Sequence, residues 1–340
     1  GLDCGTALLP LCSGNHYTID DYARQCYFAM QYIPSPHTIV KEVRKLNPGK
    51  RFVYSIETGE MHVGTYWDLY DNTSGFVAPT SYDEAIQTSE CLIRESIRIR
   101  LQSQFTNQKS QIGTFLSGGI DSSLVTMIAS QEISNLECFS IGFEENKWDE
   151  SEYAKQVAEH LGVRFNHIVC SSNDATRLVD GLQNYYDEPM GDASMIPTSL
   201  LCEKTRERID VALGGDGGDE VFFGYPRYLR YADRAKMYQI PNLLRQSMAG
   251  LCDMVGRKRL ATSLRMHDIQ QLYMNRRPSN HAELFDAIQI QQSLDQCKYL
   301  YANRDVRRCF NDFDIRTLMA HAYNVKVDRA AWRAGLNVRV

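Results

Sequence analysis

Two stretches of the sequence hold side chains able to do chemistry. "SGGIDSS" at 117–123 follows the apolar run "QIGTFL" and precedes a helix-like pattern. Gly118 and Gly119 let the backbone turn sharply and bring its N–H groups close to a ligand. The helix behind them points unsatisfied N–H groups and a positive dipole end at the same spot. Ser117, Ser122 and Ser123 add hydroxyls, so the loop can cradle an anion the size of phosphate. Asp121 sits in that cradle, where a bare carboxylate repels phosphate; it makes sense with Mg2+ between the two. The pattern is not GxxxxGK[ST], because no Lys follows the glycines, and it is not GxGxxG. The plain alternative is a Gly/Ser turn between a strand and a helix.

"LGGDGGDEVFFGY" at 213–225 is a second strand end that runs into glycines and acids. Asp216, Asp219 and Glu220 offer carboxylates for a metal or for acid–base work. Alone, the stretch also reads as an acidic surface turn. Two such loops at the carboxyl ends of one sheet mark one site, with a metal-binding carboxylate on each wall. The chemistry that suits it is nucleotide cleavage, with Mg2+ shielding the departing phosphates.

The elements that must position these loops alternate. "QIGTFL" (111–116), "LECFSIGF" (136–143), "RFNHIVC" (164–170) and "IDVALGG" (209–215) read as strands. Between them run helical patterns: one opening after Asp121, one over 151–161 capped by Asp149 and stopped by Gly162, one over 174–186, and one after Pro197. An earlier helix starts at the capping-box pair Ser81 and Glu84 and carries Ile86, Ile93, Ile97 and Leu101 on one face. This alternation predicts an α/β fold, a doubly wound parallel sheet of about five strands, with ligands outside the carboxyl ends. From Tyr225 to the end the pattern is helical, with no strand. Tyr225, Tyr228 and Tyr231 read as helix packing with the neighbouring Arg exposed. Residues 1–79 read as turns and short strands, with a hairpin turn at "ETGE" (57–60) and a linker-like segment at 71–80.

Composition bounds the partners. The chain has 340 residues, 37 Lys and Arg against 42 Asp and Glu, and a net charge of -5. That balance argues against nucleic acid and against an anionic membrane as general partners. No apolar run is long enough for a membrane span, and no signal peptide is visible at Gly1. Ten scattered cysteines form no CxxC pair and no zinc spacing, which predicts reduced thiols and a cytoplasmic protein. His160 and His167 read as packing residues rather than ligands.

The ordered set of motifs is similar to a known family. "SGGIDSS" resembles the pyrophosphate loop of the N-type ATP pyrophosphatases. "SIGF" (140–143), "LGGDGGDEVFFGY" and "KVDRA" (326–330) resemble the synthetase domain of asparagine synthetases, and "YIPSPHTI" (32–39), "LNPGK" and "YW" (66–67) resemble the end of that family's N-terminal domain. The resemblance implies an adenine nucleotide alpha hydrolase-like sheet with a helical C-terminal region and a remnant of an N-terminal β-rich domain. It divides the chain into residues 1–79, the end of a glutaminase-like domain plus linker, and residues 80–340, the synthetase domain, mostly helical over 225–340. It implies ATP and Mg2+ as cofactors. A carboxylate, aspartate-like, is activated as an acyl-adenylate and then amidated by ammonia or glutamine-derived ammonia, releasing AMP and pyrophosphate. A homodimer is implied by analogy.

Carried over by position, Leu116 and Ile141 flank the adenosine, and Gly142 and Gly215 approach it through backbone atoms. Ser117, Gly118, Gly119, Ser122 and Ser123 hold the pyrophosphate, and Asp121 and Asp219 bind Mg2+. Asp216 takes the place of the acid that handles the amine's protons. That place is often Glu in asparagine synthetases, so a sugar acid or a β-lactam precursor remains open as the substrate. Lys326 falls at a position where a structural ion pair is expected. The family's N-terminal Cys nucleophile and its later Lys loop have no counterpart here. This leaves open a fragment of a longer ligase or a catalytically silent nucleotide-binding relative. "DEPMGDASMIP" (187–197), with Asp187, Glu188 and Asp192, reads equally as an acceptor-pocket wall or as a capped loop.

Overall fold

The computed structural model describes residues 2–12, 17–69, 77–102, 111–145, 149–266, 272–273 and 305–340. Part of the linker-like segment (71–76) and part of the helical C-terminal stretch (267–271 and 274–304) lie outside the described residues. The N-terminal part holds α1 (Leu8–Cys12), α2 (Asp21–Met30) and a hairpin of β1 (Lys50–Tyr54) and β2 (Met61–Thr65). The hairpin turns at the expected "ETGE", where Gly59 takes φ +73° and Ser55 N–H donates to Glu60 O (2.9 Å). Helix α2 departs from the reading of turns and short strands. Asp20 caps it by accepting from Tyr22 N and Ala23 N. Its buried face is Ala23, Cys26 and Ala29. These side chains are too small to produce an apolar stripe in the sequence.

After α3 (Tyr82–Gln102), the sheet begins at β3 (Ile112–Phe115) and continues through α4 (Ile120–Glu132), β4 (Glu137–Phe143), α5 (Ser151–Leu161) and β5 (Arg164–Cys170). Then come α6 (Ser172–Gly181), a 3-10 turn (Leu182–Asn184), α7 (Met195–Arg206), β6 (Val211–Leu213) and α8 (Gly218–Val221). The C-terminal part holds α9 (Pro226–Ala235), α10 (Asn242–Met254), α11 (Lys258–Arg265), α12 (Val306–Asp314), a π-helical stretch (Ile315–Tyr323), α13 (Asn324–Ala334) and β7 (Asn337–Arg339).

Several boundaries shift for local reasons. Helix α6 starts early because Ser171 and Asp174 form a capping box, and it stops at Gly181. Helix α7 starts two residues before Pro197; a proline in the first turn removes an N–H that has no intrahelical acceptor. Ser81 Oγ accepts from Glu84 N (3.1 Å) as expected, while Glu84 returns its bond to Thr80 N (2.8 Å). On α3, Ile93, Ile97 and Leu101 pack inward, but Ile86 is exposed because the core ends before the helix's first turn.

The five strands run parallel in the order β5-β4-β3-β6-β7. This doubly wound order reverses between β3 and β6. The fifth strand, β7, contradicts the reading of no strand after Tyr225. Its three residues pair Asn337–Arg339 with Val211–Leu213, too short a run to show a period of two. Successive residues of β4 enter opposite layers. Cys138 joins Leu116, Ala154 and Ala158 under α5, and Phe139 joins Met195, Cys202, Ala330 and Ala331 under α7 and α13. Burying both faces of a parallel sheet is what fixes the carboxyl ends of its strands as the open rim. Cys26 and Ala29 of α2 pack with Tyr228, Tyr273, Phe310 and Phe313, so the N-terminal helix shares a core with the C-terminal helices.

Candidate functional site

The first loop leaves β3 at Leu116, whose N–H donates to Phe139 O (2.9 Å) and whose side chain is buried. Gly118 then takes φ +84°, and a Cβ there would sit 2.6 Å from Ala154 N and 2.7 Å from Tyr153 C. The first turn of α5 thus presses on the loop and leaves room only for glycine. Gly119 caps α4 with extended backbone; its own N–H donates to Ser117 Oγ (3.3 Å), and it offers no side chain to the amides of the first turn. The start of α4 is therefore free of a side-chain acceptor, as an anion site requires.

The serines divide the work. Ser122 is buried; its Oγ accepts from Ser117 N (3.1 Å), lies 3.0 Å from Ser117 Oγ and donates to Gly119 O (3.3 Å). Its hydroxyl is committed to the shape of the loop. Thr126 Oγ1 braces the same turn, 2.8 Å from Ser122 O and 3.0 Å from Thr114 Oγ1. The Ser123 hydroxyl is different: it is buried and has no hydrogen-bond partner among the described residues. A buried, unpaired hydroxyl is costly, so a ligand oxygen at this point would remove a real penalty.

The second loop forms the facing wall. After β6, Gly215 passes so close to the first loop that a Cβ would lie 2.8 Å from Ser122 N. A Cβ on Gly218 would lie 2.5 Å from the Asp121 carboxyl, which locates that carboxylate against the start of α8. Asp121 makes no hydrogen bond or ion pair to any described residue. Partial burial, and then the Asp219 charge, push its carboxyl above the ordinary range. Two half-buried carboxylates facing one another without a cation are a donor set that fits Mg2+, completed by phosphate oxygens and water. Among the described residues no group of three or more His, Cys, Asp or Glu side chains forms a closed metal cage.

Asp216, on the same loop as Asp219, keeps an exposed surface while its carboxyl lies against the turn after β6, 2.9 Å from where a Cβ on Gly214 would sit. Desolvation pushes its carboxyl up, and the charge of Lys326 pulls it back. Lys326 is buried, with Nζ donating to Ser194 Oγ (2.7 Å) and pairing with Asp192 Oδ2 (3.5 Å). The ion pair expected at Lys326 is present, and its charge also reaches the second loop. Asp187 and Glu188 are occupied elsewhere: Asp187 accepts from Leu8 N (2.7 Å), and Glu188 accepts from Ile39 N (2.7 Å) and pairs with Lys45. Their carboxylates tie the 187–191 loop to the N-terminal segment. Arg227, expected to be exposed, is half-buried, pairs with the buried Asp314 (2.9 Å) and lies over the Tyr225 ring (3.5 Å). Burial of Tyr228 and Asp314 in one core draws the guanidinium inward.

The remaining residues frame the site from the sheet. A Cβ on Gly142 would meet His167 Nε2 at 2.4 Å and Asp149 Oδ1 at 2.6 Å. The Leu116 and Ile141 side chains turn to opposite faces of the sheet. Leu116 packs beneath α5, and Ile141 packs on the opposite face with Cys170, Leu178 and Leu200. Glu220, quoted in the sequence without an assigned role, is buried; its backbone carbonyl accepts from Asn311 and its Oε1 has no hydrogen-bond partner. A cavity of about 340 Å³ lies away from the two loops, between the N-terminal segment and the π-helical stretch, lined by Tyr32, Ser35, Lys45, Glu188 and His321. No signal in the sequence marks it, because its walls come from segments roughly 290 residues apart. Among the described residues no helix is long and apolar enough to cross a membrane.

Comparison with known proteins gives the following. A family model described as asparagine synthase matches residues 90–340. A Methanocaldococcus jannaschii protein provisionally named asparagine synthetase [glutamine-hydrolyzing] 2 is 35% identical over 231 residues, covering 67% of this chain and 42% of its own length. Asparagine synthetase [glutamine-hydrolyzing] 1 of Bacillus subtilis is 29% identical over 234 residues, covering 69% of this chain and 35% of its own length. The matches thus span less than half of these curated relatives. An NH3-dependent NAD synthetase structure from Campylobacter jejuni aligns at 15% identity over 58% of this chain and 98% of its own, with a TM-score of 0.29, too slight a likeness to build on.

Proposed function

Since the chain belongs to the asparagine synthase family, we propose that it binds MgATP between its two glycine loops and uses it to drive carbon–nitrogen ligation. The single observation that carries this reading is the close approach of the loops at the point where the sheet order reverses. The uncapped start of α4, the orphaned Ser123 hydroxyl and the Asp121–Asp219 pair converge there.

In this reading the α4 amides and the Ser117 and Ser123 hydroxyls hold the pyrophosphate portion of ATP. Gly142 and Gly215 let the backbone close on the adenosine at the strand ends that carry Leu116 and Ile141, whose side chains turn away to opposite faces of the sheet. Asp121 and Asp219 hold Mg2+, which supplies charge shielding for the departing pyrophosphate. The rigid loop fixes the α-phosphate for in-line attack by the substrate carboxylate, giving an acyl-adenylate. Ammonia then attacks the acyl carbon and AMP leaves. Asp216, in its carboxylate form, accepts the proton that the amine sheds. Lys326 favours that form. Aspartate is the substrate and asparagine the product, with glutamine-derived ammonia in the whole protein. The division of the chain at residue 79 into the end of a glutaminase-like domain and a synthetase domain is part of the same proposal.

The test is product analysis with MgATP, ammonia and a panel of carboxylates: aspartate, a sugar acid and a β-amino acid. Aspartate-dependent AMP and asparagine are expected. ADP instead of AMP would overturn the reaction class. AMP formed only with another acid would keep the class and replace the substrate. Binding of MgATP with no AMP from any acid would favour a silent nucleotide-binding relative.

A further inference from the structure

The turn that ends the second loop is built against local preference. Phe223 takes φ +59°, in the left-handed region. A bulky side chain is rarely found there, because its Cβ crowds the backbone, and glycine is the usual occupant of this place after a helix. The glycine here comes one residue later, at 224. Such strain persists only where surrounding contacts over-determine it. Three contacts do so. Gly224 N donates to Asp219 O (2.9 Å), which closes the end of α8. Asn311 of α12 donates to Glu220 O, the carbonyl that the Phe223 amide takes in an ordinary helix end of this kind. The Phe223 ring packs edge-to-face with Tyr228 (6.0 Å between centroids, 72° between planes), which is buried in the core with Tyr273 and Phe310.

What this turn holds is Asp219. A Cβ on Gly224 would collide with Asp219 Oδ1, so the carboxylate is folded back against the turn. The Asp121 carboxyl lies at the other end of the same helix, 2.5 Å from where a Cβ on Gly218 would sit. Helix α8 has four residues, too few to keep its shape unaided. The spacing of the two carboxylates therefore depends on how firmly the turn is pinned. We infer that Phe223 is a positioning residue: its left-handed backbone and anchored ring hold Asp219 toward Asp121 before any cation arrives. The inference rests on the MgATP reading and goes beyond it, by naming a residue outside the metal ligands that sets their geometry. Phe223 acts through Asp219 rather than on the nucleotide. Glycine at this place would remove the strain and loosen the turn together. A loosened turn must be ordered when Mg2+ binds, and ordering one residue's backbone corresponds to about a tenfold loss of affinity.

The experiment is calorimetry of ATP binding to the whole chain, with Mg2+ and with a chelator in its place, on the wild type, Phe223→Gly and Phe223→Tyr. The Tm of each ligand-free chain is measured beside it. Phe223→Gly should weaken MgATP binding about tenfold and leave metal-free ATP binding as in the wild type, because Asp219 meets the nucleotide only through the cation. Its Tm should stay within about 2 °C of the wild type or rise, since strain is relieved and the lost ring is 45% exposed. Phe223→Tyr keeps the ring and should bind as the wild type does. MgATP affinity within about twofold of wild type in Phe223→Gly would overturn the inference and keep the MgATP site. Equal losses with and without Mg2+, or a Tm lower by more than about 6 °C, would overturn it too, by showing general support of the fold. Wild-type ATP binding that ignores Mg2+ would overturn the MgATP reading, and this inference with it.

Discussion

Replacing Gly118 by Ala probes whether the first loop is held by the protein or is merely a permissive turn. Two costs arise and the structure separates them. The first is conformational: at φ +84° an Ala is in left-handed backbone, at a cost of about 1 kcal/mol. The second is contact: the new Cβ would lie 2.6 Å from Ala154 N and 2.7 Å from Tyr153 C, both backbone atoms of α5 that cannot rotate away. Overpacking of this kind costs about 1–3 kcal/mol. Gly162 supplies the control, because it has φ +66° and nothing within 4 Å of a Cβ. Gly162→Ala should therefore cost about 1 kcal/mol and Gly118→Ala about 2–4 kcal/mol. At roughly 2 °C per kcal/mol for a chain of this size, the Tm should fall by about 2 °C and about 4–8 °C respectively. Urea denaturation gives the free energies, and calorimetry with MgATP gives the function. The Gly118→Ala chain should lose at least about tenfold in affinity, because relief of the clash moves the amides that face the ligand. The Gly162→Ala chain should bind as before. Equal losses of stability in the two variants would refute the reasoning, since the α5 contact would then contribute nothing.

Asp121→Asn should abolish AMP formation and Mg2+-dependent nucleotide binding while leaving Tm unchanged or slightly higher, because it removes a charge that faces Asp219. A large fall in Tm with turnover intact would mean the loop is only a turn. Asp312 gives a pH signature. Burial drives its carboxyl up to about 6, against the pull of Arg316. The folded state therefore holds this proton more tightly than the unfolded chain, and the wild type loses stability as pH rises from about 4 to about 6, by on the order of 3 kcal/mol. Asp312→Asn should remove that loss, gaining on the wild type above pH 6 and not at pH 4; urea midpoints that differ equally at both pH values would contradict it. Removing the buried partner of Arg227 by Asp314→Ala should cost about 2–4 kcal/mol, because the half-buried guanidinium is left charged without its carboxylate. A Tm within 2 °C of wild type would show the pair to be solvated.

The two loops were legible because each is local. Ser-Gly-Gly before a helix and Asp-Gly-Gly-Asp-Glu after a strand are each complete within a few consecutive residues, and strand–helix alternation placed both on one rim. Helix stops such as Gly162 were legible for the same reason, since left-handed backbone demands a residue without Cβ. Helix α2 was not, because Cys26 and Ala29 are buried by partners roughly 200 to 290 residues away and are individually ambivalent. Strand β7 was not, because a three-residue strand owes its pairing to the neighbour that accepts it.

The sequence by itself determined the two glycine loops, their acidic residues, the strand–helix alternation that builds the sheet and the absence of Lys or Arg in either loop. Only the tertiary structure decided which groups are free to act. It committed the Ser122 hydroxyl to the loop and left that of Ser123 open, and it sent Leu116 and Ile141 to opposite faces of the sheet. It also set the Lys326 charge against Asp192 and within reach of Asp216, and turned Asp187 and Glu188 toward the N-terminal segment. Residue types and short spacings fix what a segment can offer. Hydrogen bonds, charge and burial between distant segments fix what it still has to give, and those depend on distances that no linear pattern encodes.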